Sequence, residues 1–121
     1  MKNIIIVLFT TLGFNSLVIG QSTELKKLIN SADDKFEFHD YYGAEKLYLD
    51  AYGQDSTNTT VNYRLGVCKF EMKEYKNAEY YFIKSSSTVS LEIFRYKAAI
   101  AHAGKKFKKA INYYNAYKII N

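Results

Sequence analysis

The chain has 121 residues, of which 48% are hydrophobic and 17% aromatic, and its formal net charge is +5. This length corresponds to one domain, and the apolar content is sufficient for a core. The lack of proline favours helices, and the single cysteine excludes both an internal disulfide framework and a cysteine-based zinc cluster.

Residues 1–20 have the pattern of a secretory signal peptide. Lys2 supplies a positive charge, an apolar stretch starts at Ile4, and small residues precede Gln21. An uncleaved membrane anchor is the alternative, but polar residues interrupt the stretch, and a spanning helix needs roughly 20 mostly apolar residues. The sequence therefore predicts an exported protein that is cleaved between Gly20 and Gln21.

The apolar spacing and the cap residues of the remaining chain predict six helices. They extend from Ser22 or Thr23 to about His39, from Tyr41 to Gly53, from about Thr59 to Met72, from Tyr75 to the run Ser85–Thr88, from Ser90 to Ala103 and from Lys106 to the chain end. Asp40 and Ser90 have side chains that can cap the second and the fifth helix.

One pattern occurs three times, in the second, fourth and sixth helices. An aromatic residue begins each copy, an alanine follows three residues later, and another aromatic residue comes four positions further on. These residues are Tyr41, Ala44 and Tyr48, then Tyr75, Ala78 and Phe82, then Phe107, Ala110 and Tyr114. The second copy begins 34 residues after the first, and the third begins 32 residues after the second. A repeat of this length is typical of a solenoid, in which each unit stacks on the next. The alternative is an unrelated helical bundle with fortuitous spacing.

The chain resembles tetratricopeptide (TPR) repeats, whose helix pairs recur every 34 residues with small residues where the helices cross. When Leu25 is counted as the first position, the small residue at position 8 is Ala32, Gly66 and Ala98. The resemblance covers about Leu25 to Ile120. It implies an all-α domain over residues 21–121, namely a TPR-like right-handed superhelix of three antiparallel helix pairs, with repeats at about 25–58, 59–90 and 91–121.

Two local features also resemble exported proteins of the Bacteroidetes group. One is the junction Gly20–Gln21, and the other is Asp55-Ser56-Thr57, which is similar to an O-glycosylation motif of that group. Such proteins often carry a signal peptide and TPR units ahead of an OmpA-like domain that binds peptidoglycan. This resemblance implies a location in the periplasm or cell envelope, with only indirect membrane association.

The TPR resemblance implies a scaffold or adaptor without catalytic activity, which binds a protein or peptide in the groove lined by the first helix of each pair. Carried over to this chain, the groove residues are Lys26, Ile29, Asp33, Phe36, Tyr63, Val67, Phe70, Arg95 and His102. Some members of the family hold the C-terminal carboxylate of a peptide with lysine, asparagine and arginine. At three of those positions this chain has Ile29, Asp33 and Tyr96 instead, so such a clamp is not expected. An extended or helical peptide held by Tyr63, Phe70 and Arg95 is therefore the expectation.

Neither an enzyme nor a cofactor or metal site is expected. His39 and His102 lie in different repeats, and neither has an acid and a nucleophile nearby in sequence. Cys68 lies inside a predicted helix between apolar residues, where a packing role is the expectation. The lysine-rich run 105–109 could contact an anionic group, but nucleic acid is not expected because no aromatic stacking platform interleaves with the charge.

The chain end predicts a second contact surface. Acidic residues are concentrated in residues 21–60 and none occurs from Ile93 onward. The last helix is apolar on nearly every side, so we expect an exposed patch there, comprising Tyr113, Tyr117, Ile119 and Ile120. The alternative function is therefore a structural subunit of a larger envelope or secretion complex, which stacks through this helix pair onto a second copy, a partner or downstream sequence.

Overall fold

A computed structural model describes residues 23–85 and 90–120, and these residues form six α-helices and no strand. The helices are α1 (residues 23–37), α2 (Tyr41–Gln54), α3 (Thr59–Glu71), α4 (Tyr75–Lys84), α5 (Glu92–Ala103) and α6 (Phe107–Ile120). The predicted all-α class is therefore confirmed for the described part of the chain. The predicted signal peptide at residues 1–20 lies outside it. None of the described helices is long and apolar enough to cross a bilayer.

The same tight turn joins α1 to α2, α3 to α4 and α5 to α6. His39, Lys73 and Lys105 occupy these turns with φ values of 60°, 63° and 58°, the left-handed region that usually favours glycine. In each turn, this residue's N–H donates to the carbonyl three residues earlier at 2.9 Å, and the next N–H donates to the carbonyl five residues earlier. This is the Schellman arrangement, and its recurrence matches the spacing of the sequence repeat.

Side-chain caps begin α2 and α3. The Asp40 carboxylate accepts a hydrogen bond from the Gly43 N–H at 2.9 Å at the start of α2, which confirms the predicted cap. Asn58 caps α3 in the same way. The prediction that Ser90 caps α5 was wrong in its position, because Leu91 is the N-cap residue of this helix and has no side-chain cap bond. Ser90 Oγ, one residue earlier, accepts a hydrogen bond from the Glu92 N–H at 3.2 Å. These bonds satisfy backbone donors that the helix itself leaves unpaired.

α3 packs against α4, and α5 against α6, as helical hairpins, while α2 also packs on α3 and α5 contacts both α3 and α4. The small residues placed at helix crossings by the repeat are all buried. They are Ala32, Ala44, Gly66, Ala78, Ala98 and Ala110. A small side chain at a crossing lets two backbones approach closely, because no bulky group separates them.

Two core clusters follow from this packing. The first joins α1, α2 and α3 around Tyr48 and Leu65. The second joins α3, α4 and α5 around Phe82 and Ile93. Because Phe36 packs against both clusters, the apolar interior is continuous from α1 to α5. The core is thus built from contacts between successive helices.

Candidate functional site

Aromatic rings from α3, α4 and α5 meet around Tyr96. The centre of the Tyr96 ring lies 4.9 Å from that of Phe70, 5.4 Å from that of Phe82 and 6.5 Å from that of Tyr63. Phe82 is fully buried, whereas the other three rings are partly exposed. Burial raises the pKa of Tyr96. The rings therefore form a surface that is anchored in the core.

A cation lies beside these rings. The guanidinium of Arg95 is 4.8 Å from the centre of the Tyr96 ring, a distance typical of a cation–π contact. Arg95 also forms an ion pair with Glu92, whose other carboxylate oxygen accepts a hydrogen bond from the Tyr117 hydroxyl at 2.6 Å. These two contacts, led by the Tyr117 hydroxyl, lower the pKa of Glu92. We call Tyr63, Phe70, Arg95 and Tyr96 the α3–α5 patch.

A second polar cluster joins α1 to α3. The buried Tyr48 donates its hydroxyl hydrogen to Asp33, and Arg64 Nε lies 3.8 Å from the same carboxylate. Burial and the Asp33 carboxylate raise the pKa of Tyr48. The Arg64 guanidinium lies 4.3 Å from the centre of the Phe36 ring. Asp33 and Phe36, both predicted to line a groove, therefore already have partners within the fold.

The other predicted groove residues occupy different environments. Lys26 is exposed near the start of α1, and Ile29 is half-buried against the first core cluster. His102 is exposed at the end of α5, where its ring lies 5.5 Å from that of Phe107. The structure thus brings together Tyr63, Phe70 and Arg95, but it does not place His102 or Lys26 among the rings of the patch.

Val67 departs most clearly from the expectation of a groove residue. Its side chain is 2% exposed and packs with Ala78, Phe82 and Ile93. The physical reason is that α4 and α5 close over this side of α3. A residue in that position contributes to stability and has no surface to offer a partner.

The predicted patch at the chain end is only partly exposed. Tyr113 and Tyr117 are half-buried, and Tyr117 is held by its hydrogen bond to Glu92. Ile119 and Ile120 are exposed as predicted. Those two tyrosines are less available than expected because the side of α6 that carries them packs against α5.

A row of exposed apolar side chains elsewhere on α6 was not predicted. It consists of Phe107, Ile111 and Tyr114, which are 54%, 57% and 45% exposed. Their spacing of four and then three residues places them on one face of the helix. We call these three residues the α6 strip.

The repeat explains why this strip is uncovered. Tyr48, Phe82 and Tyr114 occupy the same position in the three copies, yet the first two are fully buried. Tyr48 lies in the first core cluster, which includes residues of α3. Phe82 stacks on Tyr96 of α5. No described helix follows α6 to cover Tyr114 in the same way.

The sequence analysis missed two residues that make contacts between helix pairs, Arg64 in the polar cluster of α1 and α3 and Tyr96 in the α3–α5 patch. Arg64 and Tyr96 both stand at position 6 when each repeat is counted from its first helix. This position faces the neighbouring helix pair, as the contacts of Arg64 with α1 and of Tyr96 with α3 demonstrate. Comparing position 6 across the repeats would have identified both residues.

In the described residues, no group of three or more histidine, cysteine, aspartate or glutamate side chains is arranged to hold a metal ion. No protein-family model matches this chain, and a comparison with curated proteins gives no match. What the chain binds must therefore be inferred from the α3–α5 patch and the α6 strip.

Proposed function

We propose that the chain is an exported adaptor of the TPR type that binds a protein or peptide partner in the cell envelope and catalyses no reaction. The observation that carries this proposal is the α3–α5 patch, where partly exposed aromatic rings adjoin an arginine. Aromatic residues and arginine are the side chains that most often dominate the energetics of protein interfaces. Rings already held by core contacts also lose little conformational entropy on binding.

The TPR part of the proposal is supported by two regularities. The turn residues His39, Lys73 and Lys105 repeat with the spacing of the sequence pattern, and small buried residues stand at every predicted crossing. Export is supported by the pattern of residues 1–20. Together these features favour a repeat module that works outside the cytoplasm.

The chemistry of the patch favours a particular kind of peptide. The exposed parts of Tyr63 and Phe70 suit an apolar side chain, and Arg95 suits an acidic side chain next to it. The chain carries no acidic residue from Ile93 onward, so an acidic partner would meet a basic field on approach. We therefore expect an extended or helical segment that combines apolar and acidic residues.

Partner capture from envelope extract with matched variants tests this role. Arg95→Glu and Tyr63→Ala should each reduce capture of the wild-type partner by at least about tenfold, a loss typical of an interface hot spot. Lys46→Glu is the control, because Lys46 is an exposed residue of α2, which contributes no residue to the patch. Equal capture by all three variants would contradict a binding role for the patch.

The α6 strip favours a second candidate function, a structural subunit that stacks through its terminal helix pair. Contiguous exposed apolar side chains are uncommon on monomers and usually mark an interface. Light scattering over a range of protein concentration and salt should detect self-association if a second copy covers the strip. Ile111→Ser and Tyr114→Ser should abolish this self-association or, if a partner protein covers the strip, the capture of that partner. Arg95→Glu should leave both unchanged, because Arg95 lies outside the strip.

The first helix of a second copy is a poor cover for the strip. Lys27 and Ser31 stand in α1 where α3 has Val61 and Leu65, two residues fully buried in the cluster shared with α2. The corresponding face of α1 is therefore polar, and its lysine would meet the basic surface around α6. We accordingly favour a partner protein or downstream sequence over head-to-tail stacking of identical copies.

A further inference from the structure

A pocket of about 440 Å³ opens where the start of α4, the end of α5 and the start of α6 meet. Its apolar wall includes Tyr75 and Ile100, and lysine side chains from α4 and from the start of α6 line it as well. Its volume lies within the range of about 300–1,000 Å³ that is typical of small-molecule sites. It shares no residue with the α3–α5 patch or the α6 strip.

The pocket carries an excess of positive charge. Lys76, Lys106 and Lys109 line it, and the only acidic residue among the lining side chains is Glu79. Lys109 Nζ donates to Glu79 at 3.3 Å, so this carboxylate is already engaged. Lys76 and Lys106 form no ion pair in the described part of the chain.

Lys97, on α5, adds a further cation close by. Burial lowers the pKa of Lys97, the Glu79 carboxylate opposes this shift, and the charge on Lys109 adds to it. Three lysines and one carboxylate therefore line the pocket, and a fourth lysine, whose amine is partly removed from water, lies close to that carboxylate. An anion bound here would relieve the mutual repulsion of these cations.

We propose that this pocket binds a small phosphate-bearing ligand with an apolar or aromatic body. Lysine ammonium groups bind phosphate as point charges, and three lysines line this pocket. The charge excess exceeds one, which suits a phosphomonoester dianion better than a single carboxylate. Tyr75 and Ile100 provide a wall for the organic part of the ligand. This site goes beyond the proposed adaptor role.

Titration of the purified protein with three probes, followed by nuclear magnetic resonance, tests the ligand class. Phenyl phosphate should bind about tenfold more tightly than inorganic phosphate, which lacks the apolar body, and than benzoate, which carries a single charge. The largest shifts should fall on the amides near Ile100 and Lys106. Equal affinity for the three probes, or shifts spread over all exposed lysines, would overturn the proposal.

Variants of the lining residues test the location. Lys106→Ala should weaken phenyl phosphate binding by about tenfold, because it removes a charged donor. Lys108→Ala is the matched control, since this lysine belongs to the same basic run but does not line the pocket. Ala103→Leu should block binding without changing the charge, because Ala103 is exposed and lines the opening. An equal effect of Lys108→Ala would overturn the assigned site.

A glutamate-rich peptide completes the experiment. If this peptide displaced phenyl phosphate and bound more tightly, with the same loss in Lys106→Ala, the small-ligand assignment would be wrong and the pocket would be a protein contact. Retained affinity for phenyl phosphate in the presence of excess peptide would support the proposal. Failure of the site would leave the adaptor role untouched, because Arg95→Glu tests that role on a different surface.

Discussion

The ring of Phe82 lies directly against Gly66, where α4 crosses α3. A β-carbon added to Gly66 would come within 2.6 Å of two atoms of this ring, which is far closer than a van der Waals contact allows. Phe82 is fully buried and also stacks on Tyr96, so it cannot move without disturbing the second core cluster. The glycine is required here for close approach, not for an unusual backbone angle.

Gly66→Ala should therefore destabilise the protein. Overpacking of a core costs about 1–3 kcal/mol, and the higher helix propensity of alanine offsets only about 1 kcal/mol. Gly53→Ala is the control, because a β-carbon there has no neighbour within 4 Å. Urea denaturation should show a lower free energy of unfolding for Gly66→Ala and an unchanged or higher one for Gly53→Ala. A gain in both variants would contradict this packing.

Lys73→Gly should stabilise the turn between α3 and α4. A lysine with φ of 63° is in a conformation that disfavours side chains with a β-carbon. Relief of this strain, less the greater entropy of glycine in the unfolded chain, should give a gain of about 0.5–1 kcal/mol. Lys27→Gly, in the interior of α1, should instead cost roughly 0.5–1 kcal/mol. Thermal or urea denaturation distinguishes the two, and losses of similar size would argue against the left-handed turn.

Cys68 should be unreactive in the folded protein. Its side chain is fully buried, and burial raises the pKa of the thiol to about 12, with the nearby Glu45 carboxylate adding to the shift. Because the thiolate is the reactive form, modification requires unfolding. A thiol reagent at neutral pH should react roughly a thousandfold or more slowly than with the denatured chain. Rapid modification of the native protein would show that this part of α3 is accessible.

Asp40 should make the stability of the protein sensitive to acid. The hydrogen bond from the Gly43 N–H, followed by the contact with Lys35, holds the pKa of Asp40 below its ordinary value of 3.8. A carboxylate with a lowered pKa stabilises the fold at higher pH, and this contribution is lost as the pH falls below 3.8 through the folded value.

The variant Asp40→Asn isolates this contribution. Asparagine can still accept the Gly43 hydrogen bond but does not titrate, so the variant should lose less stability than the wild type between neutral pH and about pH 3. Asp34→Asn, at an exposed carboxylate without an ion pair in the described residues, should follow the wild type. Parallel pH profiles for the wild type and Asp40→Asn would contradict a contribution of the ionised Asp40 carboxylate to the acid sensitivity.

Much of the local structure could be predicted from the sequence, because helices are encoded by short-range patterns. Apolar spacing located six helices, the cap at Asp40 was correct, and the alanines at the repeat positions are buried as expected. Residue spacing also identified Cys68 as a packing residue. These features depend on neighbours within a few positions along the chain, where the geometry of a helix leaves little choice.

The candidate site was less predictable because it depends on which helix covers which face. Val67 and Tyr63 were both predicted to line the groove, yet one is buried and the other partly exposed. Arg64 and Tyr96 acquire their roles only through contacts with residues on other helices. Whether such a residue is buried depends on how neighbouring helices pack against it and not on the sequence of its own helix.

Tyr48, Phe82 and Tyr114 separate the two levels. The sequence by itself determined that all three are aromatic residues at one position of a repeat, each on a helix that follows a tight turn. Only the tertiary structure decided that the first two are buried and the third is 45% exposed. The physical reason is that each repeat buries this face against the next helix pair, and among the described residues no pair stacks on α6.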